Sequence, residues 1–300
     1  MDRREFVRLG ASVGTGTVVV GAGAVCGAQP TRTLPDPRST VQQTAAFRHS
    51  VTRWPFGTLT VDELARAARR IGIASVELLE PHEWAIPQAH GLACAVGYAP
   101  AGDPRTRLTV GWNREAHHEW LVPGYEKGLE LAAAAGVPQV ICFSGNRAGR
   151  PDAEGLAACA RGLRQLTPTA ERLGVTVIME LLNSKVDHPD YQCDHTRWGA
   201  ALVERVGSPR FKLLYDVYHM QIMEGDVIRT IRAHRDAIAH YHVAGVPGRH
   251  EPDLRQELNY RAIMEAVRET GFTGYVGQEF LPTHPEPLVG LEEAVRRCTV

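Results

Sequence analysis

No two of the six cysteines in this 300-residue chain are spaced as Cys-x-x-Cys. Cys26 sits near the N-terminus, which leaves an odd five: Cys94, Cys142, Cys159, Cys193 and Cys298. An odd number without paired spacing argues against a disulfide framework and against a structural zinc site. An excess of charge of either sign is also missing. Lysine and arginine total 33 against 34 aspartate and glutamate, a net charge of −1, so there is no basic footprint for a nucleic acid. Nor is there a convincing membrane span. The one long uncharged stretch, Leu9 to Val25, is rich in glycine and poor in leucine and isoleucine. These absences leave a soluble globular class.

That stretch has a different meaning in its context. Asp2-Arg3-Arg4-Glu5-Phe6-Val7-Arg8 is a charged head with paired arginines, and Cys26-Gly27-Ala28 offers small residues for cleavage. The pattern predicts a twin-arginine export signal over residues 1–30 and a periplasmic destination. Acylation of Cys26 is disfavoured by Val25 immediately before it. The prolines and polar residues that follow predict a linker over 31–45, so the folded part is expected over 46–300 as one domain with no membrane span once the signal is removed. The twin-arginine route carries folded proteins, which suits reduced thiols and a metal loaded before export.

From Ala46 onward, short apolar runs alternate with amphipathic ones. Eight strands are predicted: Phe47–Val51, Ser75–Leu79, Cys94–Tyr98, Gln139–Ser144, Val175–Leu182, Phe211–Val217, Ile238–Val243 and Tyr275–Phe280. Helical periodicity fills the gaps, as in Val61, Leu64, Ala65, Ala68 and Ile71. Thr60 and Pro151-Asp152 mark helix starts, and Gly72, Gly136, Gly174 and Gly271 mark helix-to-strand joints. Eight such units close a (β/α)₈ TIM barrel of the α/β class.

Four of the late strands end in residues that bind metals: Glu180, Asp216, His242 and Glu279. The gaps are 216−180 = 36, 242−216 = 26 and 279−242 = 37 residues. One βα unit needs about 30 residues, so each gap suits one ligand per successive unit. Strand C-termini converge on the active face of such a barrel. Two glutamates, an aspartate and a histidine form an oxygen-rich set that suits Mn²⁺, Mg²⁺ or Co²⁺, with Zn²⁺ also compatible. The alternative is four unrelated strand-end polar residues or a buried ion network. The loop 183–195 is long and rich in hydrogen-bonding groups, and is expected to overhang the active face. Glu77 is expected to pair with a neighbour such as His49. His240 should share the face of His242 one layer away. Trp54, Trp84 and Trp112 are expected mainly to pack in the core or rim.

Lys212-Leu213-Leu214-Tyr215-Asp216-Val217-Tyr218-His219-Met220 and His240-Tyr241-His242-Val243-Ala244-Gly245-Val246-Pro247-Gly248-Arg249-His250-Glu251-Pro252 resemble the hydroxypyruvate isomerase-like family of xylose isomerase-like barrels. So do Glu180-Leu181-Leu182-Asn183 and Gly274-Tyr275-Val276-Gly277-Gln278-Glu279-Phe280. The resemblance runs from about residue 46 to the end. It implies a metal on Glu180, Asp216, His242 and Glu279, with His219 and Arg249 near the substrate oxygens. Hydroxypyruvate isomerases often carry glutamine where this chain has His242, and the histidine is closer to the epimerase pattern.

The expected activity is a metal-dependent aldose–ketose isomerisation on a small hydroxy-carbonyl or sugar, through an enediolate, with Glu180 and Glu279 moving the proton. The alternatives are an epimerase or lyase acting on keto-sugars and a non-catalytic sugar-binding barrel. A nuclease of the AP-endonuclease type would need three metals and a basic groove. No nucleic-acid partner is expected, and a homo-oligomer is compatible with the sequence.

Deleting residues 1–30 is expected to leave the melting temperature and metal content nearly unchanged; a large loss of stability would show that the segment packs on the barrel.

Overall fold

The structure is a computed structural model that describes residues 47–300. The expected export signal and linker lie outside the described residues. The described residues form one compact unit. Its eight strands are β1 (Arg48–Thr52), β2 (Ser75–Glu77), β3 (Val96–Tyr98), β4 (Gln139–Cys142), β5 (Thr176–Glu180), β6 (Phe211–Asp216), β7 (Ile238–Val243) and β8 (Tyr275–Gln278). The ladder pairings are all parallel, in the order β2-β1-β8-β7-β6-β5-β4-β3. The seam between β2 and β3 is joined by the isolated parallel bridges Ser75↔Ala93 and Leu79↔Gly97, so the sheet closes nearly completely. Strands buried on both faces must be apolar almost throughout, which is why they read as continuous runs rather than as alternation.

The α-helices among the described residues are α1 (Val61–Ile71), α2 (Ala85–Ala89), α3 (His118–Ala135), α4 (Asp152–Leu173), α5 (Thr196–Val206), α6 (Val217–Met223), α7 (Val227–His234), α8 (Tyr260–Glu269) and α9 (Pro287–Arg297). None is long and apolar enough to cross a membrane. Helix α1 shows how local signals set these elements. The Thr60 hydroxyl accepts from the Glu63 amide while the Glu63 carboxylate accepts from the Thr60 amide. Val61, Leu64, Ala65 and Ala68 face the core, and Gly72 ends the helix at φ 90°.

Each predicted strand is present, but β2, β3, β4, β5, β6 and β8 are shorter than expected. β2 stops at Glu77 because Leu78, although apolar and buried, has φ 56° and leaves the ladder. β3 starts at Val96 because the amide of Ala95 donates to the Ser75 hydroxyl at 2.8 Å instead of to a carbonyl. β8 ends at Gln278, so Glu279 is the first residue past the strand. Trp84 and Trp112 are core residues, whereas Trp54 is 42% exposed on the rim.

Candidate active site

Strands β5 to β8 lie side by side, and Asp216, His242 and Gly277 share one register level. Gly277 is needed there. A Cβ on it would stand 2.4 Å from Glu77 Oε1 and 2.7 Å from His242 Cδ2, so only glycine lets the imidazole lie across β8. Around this level the structure gathers the four residues expected from strand spacing. Glu180, Asp216, His242 and Glu279 are all buried, and each offers one ligand-type atom within 4.8 Å of the others. His242 Nδ1 lies 3.1 Å from Glu279 Oε2 and 3.5 Å from Glu180 Oε1.

The carboxylates are satisfied unequally. Asp216 caps α6, and its Oδ1 accepts from the amides of Tyr218 at 2.7 Å and His219 at 3.3 Å. Its Oδ2 has no hydrogen-bond partner, and neither has Glu180 Oε1. Glu279 accepts from the Trp54 indole N–H at 2.7 Å and from Arg249 Nη2 at 2.7 Å. Burial pushes the Asp216 carboxyl up to about 8, with the Glu279 charge adding to the effect. Burial and then Glu279 also raise Glu180. Burial acts on Glu279 too, but His242 and Arg249 hold it well below the usual carboxylate range. His242 is disfavoured as a cation by burial, yet Glu279 and its other carboxylate neighbours raise it well above its ordinary value. Unpartnered carboxylate oxygens beside a histidine lone-pair position are the donor set of a hard or borderline divalent cation, so the residues fit such an ion. A proton on His242 Nδ1 and a cation are alternatives at the same place.

The far side of His242 is fixed. Its Nε2 lies 2.8 Å from Glu77 Oε1, the same oxygen that His240 Nε2 reaches at 3.0 Å. This corrects the expectation that Glu77 pairs with His49, whose Nε2 instead meets the Thr299 hydroxyl at 3.1 Å. The barrel interior brings β2 opposite β7, and two imidazoles there answer one buried carboxylate. Burial pushes Glu77 up, but His240 and His242 together bring it down to about 2.

The sequence profile of the xylose isomerase-like TIM barrel family matches residues 41–297. The chain belongs to that family. The 2-oxo-tetronate isomerase of Cupriavidus necator is 33% identical over 232 residues, covering 74% of this chain and 87% of that protein. The hydroxypyruvate isomerase of Escherichia coli is 28% identical over 238 residues, covering 74% and 88%. Among solved structures, a Brucella melitensis protein described as AP endonuclease, family 2, superposes with a TM-score of 0.74 at 26% identity, covering 83% of this chain and 99% of that one.

In this family member a cavity of about 470 Å³ opens above the cluster, with Trp54, Tyr98, Arg107, His188, Glu180 and Glu279 among its walls. Arg249, expected near substrate, lines it as well. Arg249 has φ 59°, held by its own amide on Gly245 O at 2.9 Å and by Leu281 N on its carbonyl at 2.6 Å. Its guanidinium lies over the rings of Trp54 and Tyr218 at 4.9 and 5.3 Å. His219, the other expected substrate residue, is buried beside Asp216 with its Nε2 3.8 Å from Oδ2. Burial, followed by the Arg249 charge, lowers it well below the ordinary histidine value.

Sequence reasoning missed Tyr98 and Arg107, which stack with the guanidinium 3.8 Å above the ring while Arg107 pairs with Glu80 at 2.6 Å. The available signal was the long stretch between β3 and α3, whose residues Pro104, Arg105, Arg107 and Leu108 supply one wall. The 183–195 loop does overhang this face, but it is fastened down rather than hinged. Lys185 Nζ donates to the carbonyls of Ile222 and Met223 at the end of α6, and the Tyr191 hydroxyl donates to Glu180 O. Of its side chains, His188 faces the cavity.

Glu77→Gln is expected to weaken Mn²⁺ binding about 10- to 100-fold, because a carboxylate behind a ligating histidine orients the ring and raises its basicity. Equilibrium dialysis measures this; unchanged affinity would mean that His242 keeps its orientation without Glu77.

Proposed function

We propose that the protein is a metal-dependent isomerase that interconverts a hydroxy-aldehyde and a hydroxy-ketone by proton transfer through an enediolate. The observation that carries this is the buried meeting of two glutamates across His242 Nδ1, at 3.5 and 3.1 Å, at the edge of a cavity large enough for a small sugar or hydroxy-acid. The names of the two curated relatives, both isomerases, support the same class. Glu180, Asp216, His242 and Glu279 would hold the ion, with Mn²⁺, Mg²⁺ or Co²⁺ favoured by the three carboxylates and Zn²⁺ compatible with the histidine. The bound ion would supply Lewis-acid polarisation of the substrate oxygens.

The chain's own residues divide the remaining work. Glu180 lines the cavity and, with Oε1 on the ion, would use its other oxygen to take a proton from the substrate carbon. Glu279 already accepts from Trp54 and Arg249, which lowers its basicity and suits it to balance positive charge, while Glu180 returns the proton it has taken to the neighbouring carbon. Arg249 presents a planar fork to a substrate oxygen while its stacking on Trp54 and Tyr218 holds the guanidinium still. The buried base of the cavity limits water, which protects an enediolate from stray protonation. The twin-arginine segment adds the proposal that this chemistry takes place outside the cytoplasm, on a small diffusible substrate.

A second reading, epimerisation or elimination on a keto-sugar, starts with the same carbon-acid step; epimerisation returns the proton to the opposite face of the same carbon, and elimination expels the substituent on the neighbouring carbon instead. The cavity of about 470 Å³ has room for more than a three-carbon substrate, which favours keeping it. Screening the metal-loaded protein against short hydroxy-carbonyls and keto-sugars separates the two by product.

Glu180→Gln and Glu279→Gln each keep the side-chain size and one ligand oxygen. In at least one of them, solvent deuterium uptake at the substrate carbon is expected to fall by about 100-fold or more while metal stays bound. Wild-type exchange in both metal-loaded variants would eliminate the glutamates as the base.

A further inference from the structure

His219 is wholly buried, and its surroundings determine where its ring proton sits. The backbone N–H of Asn183 donates to Nδ1 at 3.1 Å, and the Asn183 side-chain Nδ2 lies 2.7 Å from the same nitrogen. A backbone N–H can only donate, so Nδ1 carries a lone pair and the neutral ring has its proton on Nε2. The orientation of the Asn183 amide follows from its other bonds. Its Oδ1 accepts from the amides of Val186 at 3.0 Å and Asp187 at 2.9 Å, and its Nδ2 also donates to Asp187 Oδ2 at 2.6 Å. Asp187 Oδ2 in turn accepts from the Tyr218 hydroxyl at 2.7 Å. Reversing the amide would set oxygen against the Asp187 carboxylate and N–H against two amides.

The opposite nitrogen is different. Nε2 has no hydrogen-bond partner, and the nearest carboxylate oxygen, Asp216 Oδ2, is 3.8 Å away, too far for a hydrogen bond. An unpartnered buried donor is costly, and such groups concentrate where a ligand completes them. The ring cannot easily turn to a better place, because Tyr218 and His188 flank it at 5.0 and 5.3 Å between centroids.

We propose that Asn183 is a positioning residue that locks His219 as the Nε2–H tautomer, so that His219 donates a hydrogen bond to the substrate oxygen on which negative charge develops and does not act as a base. The tautomer follows from the geometry alone; its catalytic use rests on the isomerase reading given above. No proton leaves or joins His219 in this role. Nε2 already carries one, and protonating Nδ1 would turn two accepted bonds into N–H against N–H contacts. The carbon proton therefore passes to a carboxylate, and His219 contributes a fixed dipole of the kind that stabilises an oxyanion.

The test has two arms on the full-length, Mg²⁺-loaded protein. Long-range ¹H–¹⁵N correlation of the His219 ring at neutral pH is expected to show Nε2 protonated and Nδ1 not. A proton on Nδ1, in the other tautomer or the imidazolium, overturns the proposal, and this readout needs no turnover, so it stands apart from any failure of the isomerase reading. In the second arm, Asn183→Asp places an acceptor where Nδ2 was and draws a proton to Nδ1. Its kcat is expected to fall at least about tenfold, with KM changed less than about threefold. Asn183→Ala retains the backbone donor, and is expected to keep the Nε2–H tautomer and to lose less activity. If Asn183→Asp moves the proton in the spectrum and kcat stays at the wild-type value, the donor role is wrong.

Discussion

Three carboxylates, from Glu180, Asp216 and Glu279, are buried together at the mouth of the barrel, and the rest of the site can be understood as the response to that charge. Two like charges about 4 Å apart repel by about 4 kcal/mol at an effective dielectric of 20, before any desolvation is counted. The protein's own compensation is incomplete. Arg249 and the Trp54 indole satisfy Glu279, and two backbone amides satisfy one oxygen of Asp216. Glu180 Oε1 and Asp216 Oδ2 are left unpartnered. The balance must be made up by protons, as the upward displacement of Asp216 and Glu180 indicates, or by a cation. A divalent ion meets all of the demands at once, and that is the physical case for one.

The same constraint accounts for features further from the cluster. His242 serves as a ligand only if its ring is held with Nδ1 forward, and Glu77 holds it from behind through Nε2. Glu77 is itself a buried charge, and it is tolerated because His240 and His242 both donate to it. Gly277 leaves the space in which this arrangement fits. On the cavity side, hydrogen bonds within the 183–195 loop hold Asn183 against His219, the contact on which the proposed tautomer rests.

The barrel and the four clustered residues were legible because both depend on local patterns. Apolar runs mark strands, their spacing marks βα units, and residues at or beside a strand's C-terminal end lie at the active face. The contacts that refine the site join parts of the chain that only closure of the barrel brings together. Glu77 meets His240 and His242 across 163 and 165 residues, which no spacing rule anticipates. Leu78 and Ala95 read as strand by composition, but a positive φ and a side-chain hydrogen bond take them out of the ladder. Trp54 looked like packing because nothing in its neighbourhood in sequence reveals an indole N–H aimed at Glu279, 225 residues away. Arg107 and Tyr98 went unnoticed because their wall comes from an irregular stretch with no periodicity to read.

The central claim is that one divalent ion neutralises this cluster. Anomalous X-ray diffraction from crystals of the Mn²⁺-loaded protein, recorded at the manganese edge, tests it most directly. The account predicts one strong peak about 2.0–2.5 Å from a carboxylate oxygen of each of Glu180, Asp216 and Glu279 and from Nδ1 of His242. A fully loaded crystal with no peak among these four residues, or with its manganese bound elsewhere, would contradict it.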